Sequence, residues 1–185
     1  MSNRERAQVA TASAVMPSTD QLSQLFGEHH KRVLTAAWRI TGSRADAEDV
    51  AQAVFLRLAG AHCQAANVGS YLYRAAINGA LDLLRRRKAA RAEPLDLAAD
   101  LTAAGSGSSP EAAAASRELG DLLRMAIGEL PARAAEMFVL RFVEELGNRE
   151  IAALMGTSAA VVAVTVHNAR SRLRKRLTEL ERGKR

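Results

Sequence analysis

The sequence predicts an all-α protein of two small helical domains joined by a flexible linker, with a four-helix unit as the C-terminal domain. Apolar residues recur at helical spacing over most of the chain. Ala and Leu, which lose little free energy on entering a helix, supply much of the 48% apolar content, whereas aromatic residues make up 4%. The stretch GSGSSP, whose composition is typical of flexible linkers, interrupts the helical pattern at residues 105–110.

The chain is basic, and its positive charge is concentrated in two blocks. The formal net charge is +6 and the sequence pI is about 10.2. Eight Lys and Arg residues lie between Arg170 and Arg185, and Arg85–Lys88 is wholly basic. Such focused charge favours nucleic acid as the partner, since a phosphate backbone is a dense line of negative charge. A membrane surface is a minor alternative, because the apolar helix faces are predicted to be committed to cores.

The cellular setting follows from the cysteine content and from the apolar runs. Cys63 is the only cysteine, so no intrachain disulfide is possible, which fits a reducing cytoplasm. No apolar run approaches the roughly 20 residues of a membrane span. Residues 1–19 lack the apolar core of a signal peptide and are predicted to be a disordered tail.

Two helices are predicted at the start of the first domain, which we place at residues 20–91. The first covers Asp20–Thr41, with Ser18 or Thr19 as its N-cap and Gly42 as its end. Trp38 lies beside its apolar stripe and is expected to pack against a neighbouring helix. Ser43 is expected to cap the second helix, in which Asp46 resembles the acidic half of a capping box. Its early acids suit the helix dipole, and they would equally suit docking on a partner protein.

The segment after the second helix, residues 59–69, has no strong periodicity and is predicted to be a loop. His62 and Cys63 are adjacent there, but two neighbouring ligands without a second pair make a poor zinc site. No metal and no cofactor is therefore expected.

Ser70 opens a third helix, whose predicted apolar stripe contains Leu72, Ala75, Ala76, Ala80, Leu83 and Leu84. Tyr71, Arg74, Asn78, Asp82 and Arg85 fall outside this stripe. A basic helix with aromatic and amide side chains suits unpaired nucleic acid, because aromatic rings stack on exposed bases and cations hold phosphates. The alternative is a solvated helix whose basic run complements the dipole at its C-terminus.

Residues 92–116 are acidic and rich in Gly and Ser, and we predict that they form the interdomain linker. The second domain, residues 117–185, begins with a helix predicted at Arg117–Gly128. Pro131 is placed to start the next helix, which is expected to bury Ala135, Phe138, Val139 and Phe142 and to end at Gly147.

The last segment predicts contact with DNA. Two short amphipathic helices, one at Asn148–Met155 and one beginning near Ala159, flank the turn Gly156-Thr157-Ser158. This arrangement is typical of a helix-turn-helix, whose second helix enters the major groove of DNA.

In this order the segments resemble the compact, two-domain sigma factors of the extracytoplasmic-function group in the sigma-70 family. The resemblance rests on DAEDVAQAVFLRL (46–58), SYLYRAAINGALDLLRRR (70–87), LPARAAEMFVLRFVEELGNREIAALMGTS (130–158) and HNARSRLRKRL (167–177). It implies binding to core RNA polymerase through the clamp and the flap, and no catalytic site. It also implies promoter recognition, a linker near the RNA exit region and, in many members, an anti-sigma protein that holds the factor inactive.

The resemblance assigns residues to three surfaces. Residues 20–91 correspond to sigma region 2 and residues 117–185 to sigma region 4. The clamp would contact Asp46, Asp49, Gln52 and Phe55. The promoter −10 element, melted beside the loop His62–Val68, would contact Tyr71, Arg74, Asn78, Asp82, Arg85 and Arg86. The −35 element would contact Arg149, Ala163, Val164, Thr165, His167, Asn168, Arg170 and Arg174.

The recognition helix departs from the family pattern. Where relatives usually carry Thr, Lys, Ser and Arg, this sequence has Val161, Val162, Ala163, Val164 and Thr165. Several hydrogen-bond donors are therefore missing from the predicted DNA-contacting face. Recognition would depend on Thr165, His167 and Asn168, on apolar contact with thymine methyl groups, or on DNA shape. We expect an unusual −35 sequence or weak dependence on the −35 element.

Two other function classes compete with this one. A stand-alone helix-turn-helix regulator that binds duplex operator DNA would explain the last helices, but it would leave the acidic second helix and the basic third helix without a role. A hydrolytic enzyme is disfavoured, because the sequence has no Gly-rich phosphate loop, no nucleophile elbow and no spaced metal ligands.

Overall fold

The structure, a computed structural model, describes residues 18–60, 67–92 and 110–182. The N-terminal tail before residue 18, the pair His62 and Cys63, and most of the predicted linker lie outside the described residues. Within the described ranges the chain forms α1 Thr19–Thr41, α2 Arg44–Gly60, α3 Val68–Ala92, α4 Pro110–Gly128, α5 Ala132–Phe142, α6 Asn148–Met155 and α7 Ala159–Arg182. The all-α expectation is confirmed.

Local capping chemistry sets the ends of several helices. Ser18 and Gln21 form a reciprocal capping box at the start of α1. Gly42 and Gly156 end α1 and α6 in the left-handed conformation, with φ values of 71° and 61°. The hydroxyl of Ser43 accepts a hydrogen bond from the backbone N–H of Asp46 at 3.3 Å, as predicted for the cap of α2.

The helices form two units that pack on each other. The first unit is α1, α2 and α3, which are mutually in contact. In the second unit α7 packs against α4, α5 and α6. α3 also packs against α4 and α5, so a continuous apolar core runs from one unit into the other.

Three predictions need correction: two of them concern helix bounds and one concerns the buried face of α3. α4 begins at Pro110 rather than Arg117, because a proline at the first helical position, followed by Glu111 and four consecutive alanines, favours a helix. α5 ends at Phe142, and Gly147 is the N-cap of α6 rather than the end of α5. The buried face of α3 is rotated from the predicted stripe and contains Leu72, Tyr73, Ala76, Ile77, Ala80, Leu81 and Leu84.

Two aromatic side chains are less buried than predicted. Trp38 is 53% exposed and Phe142 is 46% exposed. Phe142 is the last residue of α5 and packs at 4.8 Å, between ring centroids, against Phe138 of the same helix. The expectation that Phe142 would be buried was wrong, and Trp38, which was expected to pack against a neighbouring helix, is more than half exposed.

No single helix in the described ranges is long and apolar enough to cross a bilayer; α6 and α7, bent by 106°, meet the length and apolarity required only when they are taken together.

Truncation of a core residue of α3 should destabilise the fold. Leu81 is fully buried, so Leu81→Ala should lower the free energy of unfolding by about 2–5 kcal/mol, measured by urea denaturation. Leu56→Ala is the matched control, since Leu56 is 65% exposed and its truncation should change stability by less than about 0.5 kcal/mol. Equal losses in the two variants would contradict the described core.

Candidate nucleic-acid and protein interfaces

A surface cleft of about 660 Å³ lies between α1 and α2 of the first unit. Gln52, which is exposed, and Phe55, which is half-buried, line this cleft. Asp49 is exposed on the same helix but lines a different groove, between α2 and α3. The structure therefore brings together only Gln52 and Phe55 of the four predicted docking residues.

Aromatic and aliphatic side chains form most of the wall of this cleft. The ring of Phe26 lies 4.4 Å from that of His30 and 4.9 Å from that of Phe55, between centroids. Phe26 is 47% exposed and Leu56 is 65% exposed. Exposed apolar groups gathered in one place are typical of a protein-binding surface. The sequence interpretation assigned neither Phe26 nor Leu56, which follows Phe55 directly, to a protein-binding surface.

Asp46 lies apart from this cleft. Its carboxylate accepts a hydrogen bond of 2.6 Å from Arg87 of α3, and its side chain is largely buried. Asp46 thus ties α2 to α3 within the first unit and is not part of the exposed docking surface. In the expected capping box, the carboxylate of Asp46 would accept a hydrogen bond from the backbone N–H of Ser43. In the structure this carboxylate binds Arg87 instead, and the backbone N–H of Ser43 donates to the hydroxyl of Thr41.

Four of the six residues predicted for the −10 element share one cleft of about 500 Å³ along α3. Helical spacing places them on one side of α3, and Leu154 of α6 forms part of the opposite wall. An aromatic ring, a guanidinium and an amide in one cleft can stack on a base, hold a phosphate and donate hydrogen bonds. The four residues are Tyr71, Arg74, Asn78 and Asp82.

The other two residues predicted for the −10 element, Arg85 and Arg86, line an adjoining groove of about 910 Å³ between α2 and α3, and Asp82 lines both. Arg57 and Arg87 line the same groove, together with Asp49 and Asp82, so the cations outnumber the carboxylates by four to two. Arg85 donates to Asp82 at 2.6 Å. Its other terminal nitrogen is buried and has no hydrogen-bond partner among the described residues. A phosphate group has the charge and the acceptor oxygens that this groove could hold.

The helix-turn-helix has the bounds that the sequence predicted, and buried apolar residues fix the angle between its helices. Ile151 and Met155 of α6 are buried, as are Val162, Val166 and Leu173 of α7. These contacts turn the opposite face of α7 toward solvent. The predicted −35 residues Ala163, Val164, His167, Asn168, Arg170 and Arg174 are exposed, Thr165 is half-buried, and Arg149 is exposed on α6.

The exposed face of α7 changes character along its length. Near its N-terminus it is apolar, with Val164 61% exposed. Farther along it is cationic, and Arg170, Arg172, Arg174 and Lys175 make no ion pair with any carboxylate that the structure describes. Unpaired cations on one helix face can contact phosphates at no cost in broken ion pairs.

Arg176 differs from these cations, because it is held by Glu129. It donates to the two carboxylate oxygens at 2.7 and 3.0 Å, and Lys88 of α3 lies 3.2 Å from the same carboxylate. Partial burial opposes ionisation of Glu129, but the hydrogen bonds from Arg176 and Lys88 outweigh it and lower the pKa of the carboxyl group. Glu129 therefore joins α3 to α7.

Hydrogen bonds that the sequence did not predict link the two units. The phenol of Tyr73 donates to Glu144 at 2.7 Å, and Arg39 donates to the same oxygen at 3.2 Å. Burial and the hydrogen bond to Glu144 raise the pKa of Tyr73, so this phenol stays protonated and acts as a donor. Arg74 donates to the buried Glu136 at 2.7 Å and to the carbonyl oxygen of Leu154 at 3.1 Å. These partners lie far apart along the chain, so no local pattern could have identified them.

No group of three or more His, Cys, Asp or Glu side chains among the described residues is arranged to hold a metal ion.

Comparison with known proteins assigns both units to one family. The family model for sigma-70 region 2 matches residues 25–90, and the model for sigma-70 region 4 matches residues 120–173. The ECF RNA polymerase sigma factor SigE of Mycolicibacterium smegmatis is 33% identical over 163 residues, which cover 87% of this chain and 62% of SigE. The ECF RNA polymerase sigma factor SigW of Bacillus subtilis is 27% identical over 173 residues, which cover 87% of this chain and 91% of SigW.

Two solved structures are similar at a lower level. The sigma factor RpoE of Bartonella quintana, solved in complex with the anti-sigma factor NepR, has a TM-score of 0.47 at 17% identity and covers 84% of this chain and 96% of its own. The extracytoplasmic function sigma factor SigJ of Mycobacterium tuberculosis has a TM-score of 0.43 at 20% identity, with coverages of 82% and 52%. These two likenesses are too low to bear on partners or mechanism. The two family models and the sequence relatives are sufficient: the chain belongs to the sigma-70 family of RNA polymerase sigma factors, in the ECF group, and carries regions 2 and 4.

Proposed function

We propose that this chain binds core RNA polymerase in the cytoplasm and directs it to promoters by contacting the −10 and −35 elements. The observation that carries the proposal is the presence, on one chain, of an apolar docking cleft and two separate cationic surfaces within the matched regions 2 and 4. The family has no enzymatic activity of its own. An anti-sigma protein is a further partner that membership of this group suggests.

The cleft between α1 and α2 is the surface we assign to the polymerase clamp. Phe26, Phe55 and Leu56 provide apolar area that is otherwise exposed, and Gln52 provides an amide at the cleft. A partner helix laid along such a cleft would bury these groups, which is the usual source of affinity when a helix binds in a groove. Asp46 supports this surface from inside the unit, through Arg87.

The α3 cleft is the surface we assign to the melted −10 strand. Tyr71 can stack on an unpaired base, while Arg74 and Asn78 can bind phosphate or base edges. The groove with Arg57, Arg85 and Arg86 continues the positive charge along α3 and would hold the phosphates of the same strand.

The exposed face of α7 is the surface we assign to the −35 element. The methyl groups of Val161, Ala163 and Val164 are accessible near the N-terminus of the recognition helix, where base edges would lie. Apolar side chains contact the C5-methyl of thymine but cannot hydrogen-bond a base. Thr165, His167 and Asn168 supply the remaining polar contacts, and Arg170 to Lys175 supply the phosphate contacts.

The decisive experiment is run-off transcription with core RNA polymerase from the source organism, with start sites mapped across its genome. Start sites preceded by a shared pair of elements support the proposal. The competing function, a stand-alone operator-binding regulator, is distinguished by a pull-down: such a regulator would not retain core polymerase and would bind duplex DNA tightly when free.

Truncation of the docking cleft should weaken assembly with core polymerase. Gln52→Ala combined with Phe55→Ala should raise the dissociation constant for core about tenfold or more, because buried aromatic groups dominate such interfaces. Fluorescence anisotropy of labelled protein measures it. Arg44→Ala, on the same helix but in an exposed ion pair outside the cleft, is the control and should have little effect. Unchanged binding by the double variant would remove the cleft from the interface.

Thymine methyl groups in the −35 element should contribute to binding. Replacing the contacted thymines by deoxyuridine removes only the C5-methyl group and should weaken holoenzyme binding about fourfold for each contact, at about 0.8 kcal/mol per buried methyl group. With Val164→Ala the same DNA change should have a smaller effect. If wild-type holoenzyme binds both DNAs equally, apolar recognition of thymine is wrong.

Arg174 should act on affinity without acting on sequence preference. Arg174→Ala should weaken binding to all promoter sequences by a similar factor and reduce the slope of log affinity against log salt concentration by about 1. A titration over several salt concentrations, repeated on two promoters, measures both effects. A loss confined to one promoter would indicate a base contact instead.

A further inference from the structure

The two clefts beside α3, of about 500 Å³ and about 910 Å³, adjoin and form one channel. They share four lining residues, which are Arg57 of α2 and Ala75, Gly79 and Asp82 of α3. The three residues of α3 follow one another at spacings of four and three positions, so they lie on one side of the helix. A strand bound along α3 can therefore pass from one cleft into the other.

Small residues line the channel where the two clefts meet. Ala75 and Gly79 add at most a methyl group to the surface of α3 there. Even a methyl group at position 79 would come within 3.1 Å of Val50, so α2 and α3 approach closely at this point. The absence of larger side chains at positions 75 and 79 leaves room for a flat base beside Asp82.

Asp82 differs chemically from the other groups at this junction. Its side chain is 65% exposed, and one carboxylate oxygen accepts a hydrogen bond from Arg85 at 2.6 Å, which orients the carboxylate. None of the described residues donates to its second oxygen. A carboxylate only accepts hydrogen bonds, and it repels a phosphate. Of the parts of a nucleic-acid strand, a base edge therefore suits Asp82, whereas phosphates suit the exposed guanidinium groups of Arg57 and Arg86.

Base edges differ in what they offer to a carboxylate. Adenine, cytosine and guanine each carry an exocyclic amino group that donates hydrogen bonds, and Asp and Glu accept from such a group in cytosine. Thymine has no amino group, and its single ring N–H lies between two carbonyl oxygens that a carboxylate repels. A carboxylate in the channel consequently favours an amino-bearing base over thymine.

We propose that Asp82 is a specificity-determining residue of the −10 surface, which accepts a hydrogen bond from the exocyclic amino group of an unpaired base and disfavours thymine at that position. Tyr71 lies about 16 Å away along the axis of α3, so the base that Asp82 contacts is not the one stacked on Tyr71. Arg85 holds the carboxylate in place. This inference rests on the proposed function for the identity of the bound strand.

Deletion of single amino groups from the strand tests this contact. Holoenzyme, formed from the full chain and a saturating concentration of core polymerase, is titrated with fluorescent single strands carrying a −10 element mapped by run-off transcription. At each position in turn, adenine is replaced by purine, cytosine by 2-pyrimidinone or guanine by hypoxanthine, each of which lacks only the amino group. At one position at least, this loss should weaken binding about tenfold, as expected for a hydrogen bond to a charged group.

Asp82→Ala shows whether the carboxylate is the acceptor. In this variant, the same deletion of the amino group should change the affinity by less than about twofold, and the preference over thymine at that position should shrink equally. Asp20→Ala is the matched control, because it removes one negative charge from an exposed position in the first turn of α1. The control should keep the full tenfold effect.

The outcomes distinguish failure of this inference from failure of the proposed function. If the holoenzyme binds the strands but no amino deletion weakens binding, Asp82 does not select a base. If Asp82→Ala weakens all strands equally and keeps the tenfold effect, its role is structural and the inference is overturned. An equal loss of discrimination in Asp20→Ala attributes the effect to net charge and overturns it as well. Failure to assemble with core polymerase, or to bind any of these strands, overturns the proposed function and the inference with it.

Discussion

The burial of α3 between the two units is the interaction on which the rest of the structure depends. α3 packs against α1 and α2 on one side and against α4 and α5 on the other, so most of its circumference is covered. Leu72, Ile77 and Leu81 are fully buried there. A helix covered on two sides keeps only a narrow strip free, and the residues proposed to contact the −10 strand lie on that strip. Stability and promoter recognition therefore use the same helix.

The interface between the two units contains ion pairs as well as apolar packing. Glu136 and Glu144 are nearly buried, but each carries its charge against a donor of the other unit. A buried ion pair adds little net stability, because desolvation of the two charges offsets their attraction.

In α7, the residues that pack the helix against its neighbours are different from those on the exposed face that would contact DNA. Val162, Val166 and Leu173 fix α7 against its neighbours, and the exposed cations from Arg170 onward would supply the phosphate contacts of the proposed function. Neither group chooses a sequence. Under the proposed function that choice falls to the exposed face around Val164, whose methyl groups can contact the methyl group of thymine but cannot hydrogen-bond a base edge. Low −35 selectivity combined with retained phosphate affinity would place more of the promoter choice on the −10 surface.

The sequence by itself determined the helical class and the bounds of the helix-turn-helix, because caps, turns and apolar periodicity act over a few residues. The family was identified by the resemblance of its segments to known sigma factors. Ser18, Gly42 and Gly156 mark helix ends through their own hydrogen bonds and backbone angles. Only the tertiary structure decided which face of α3 is buried and that Trp38 stays exposed. It also decided that Asp46 forms an ion pair with Arg87 and that Arg74 forms one with Glu136. Each of these two ion pairs joins residues that are far apart in the chain, by 41 positions in the first pair and by 62 in the second, and local patterns do not encode such contacts.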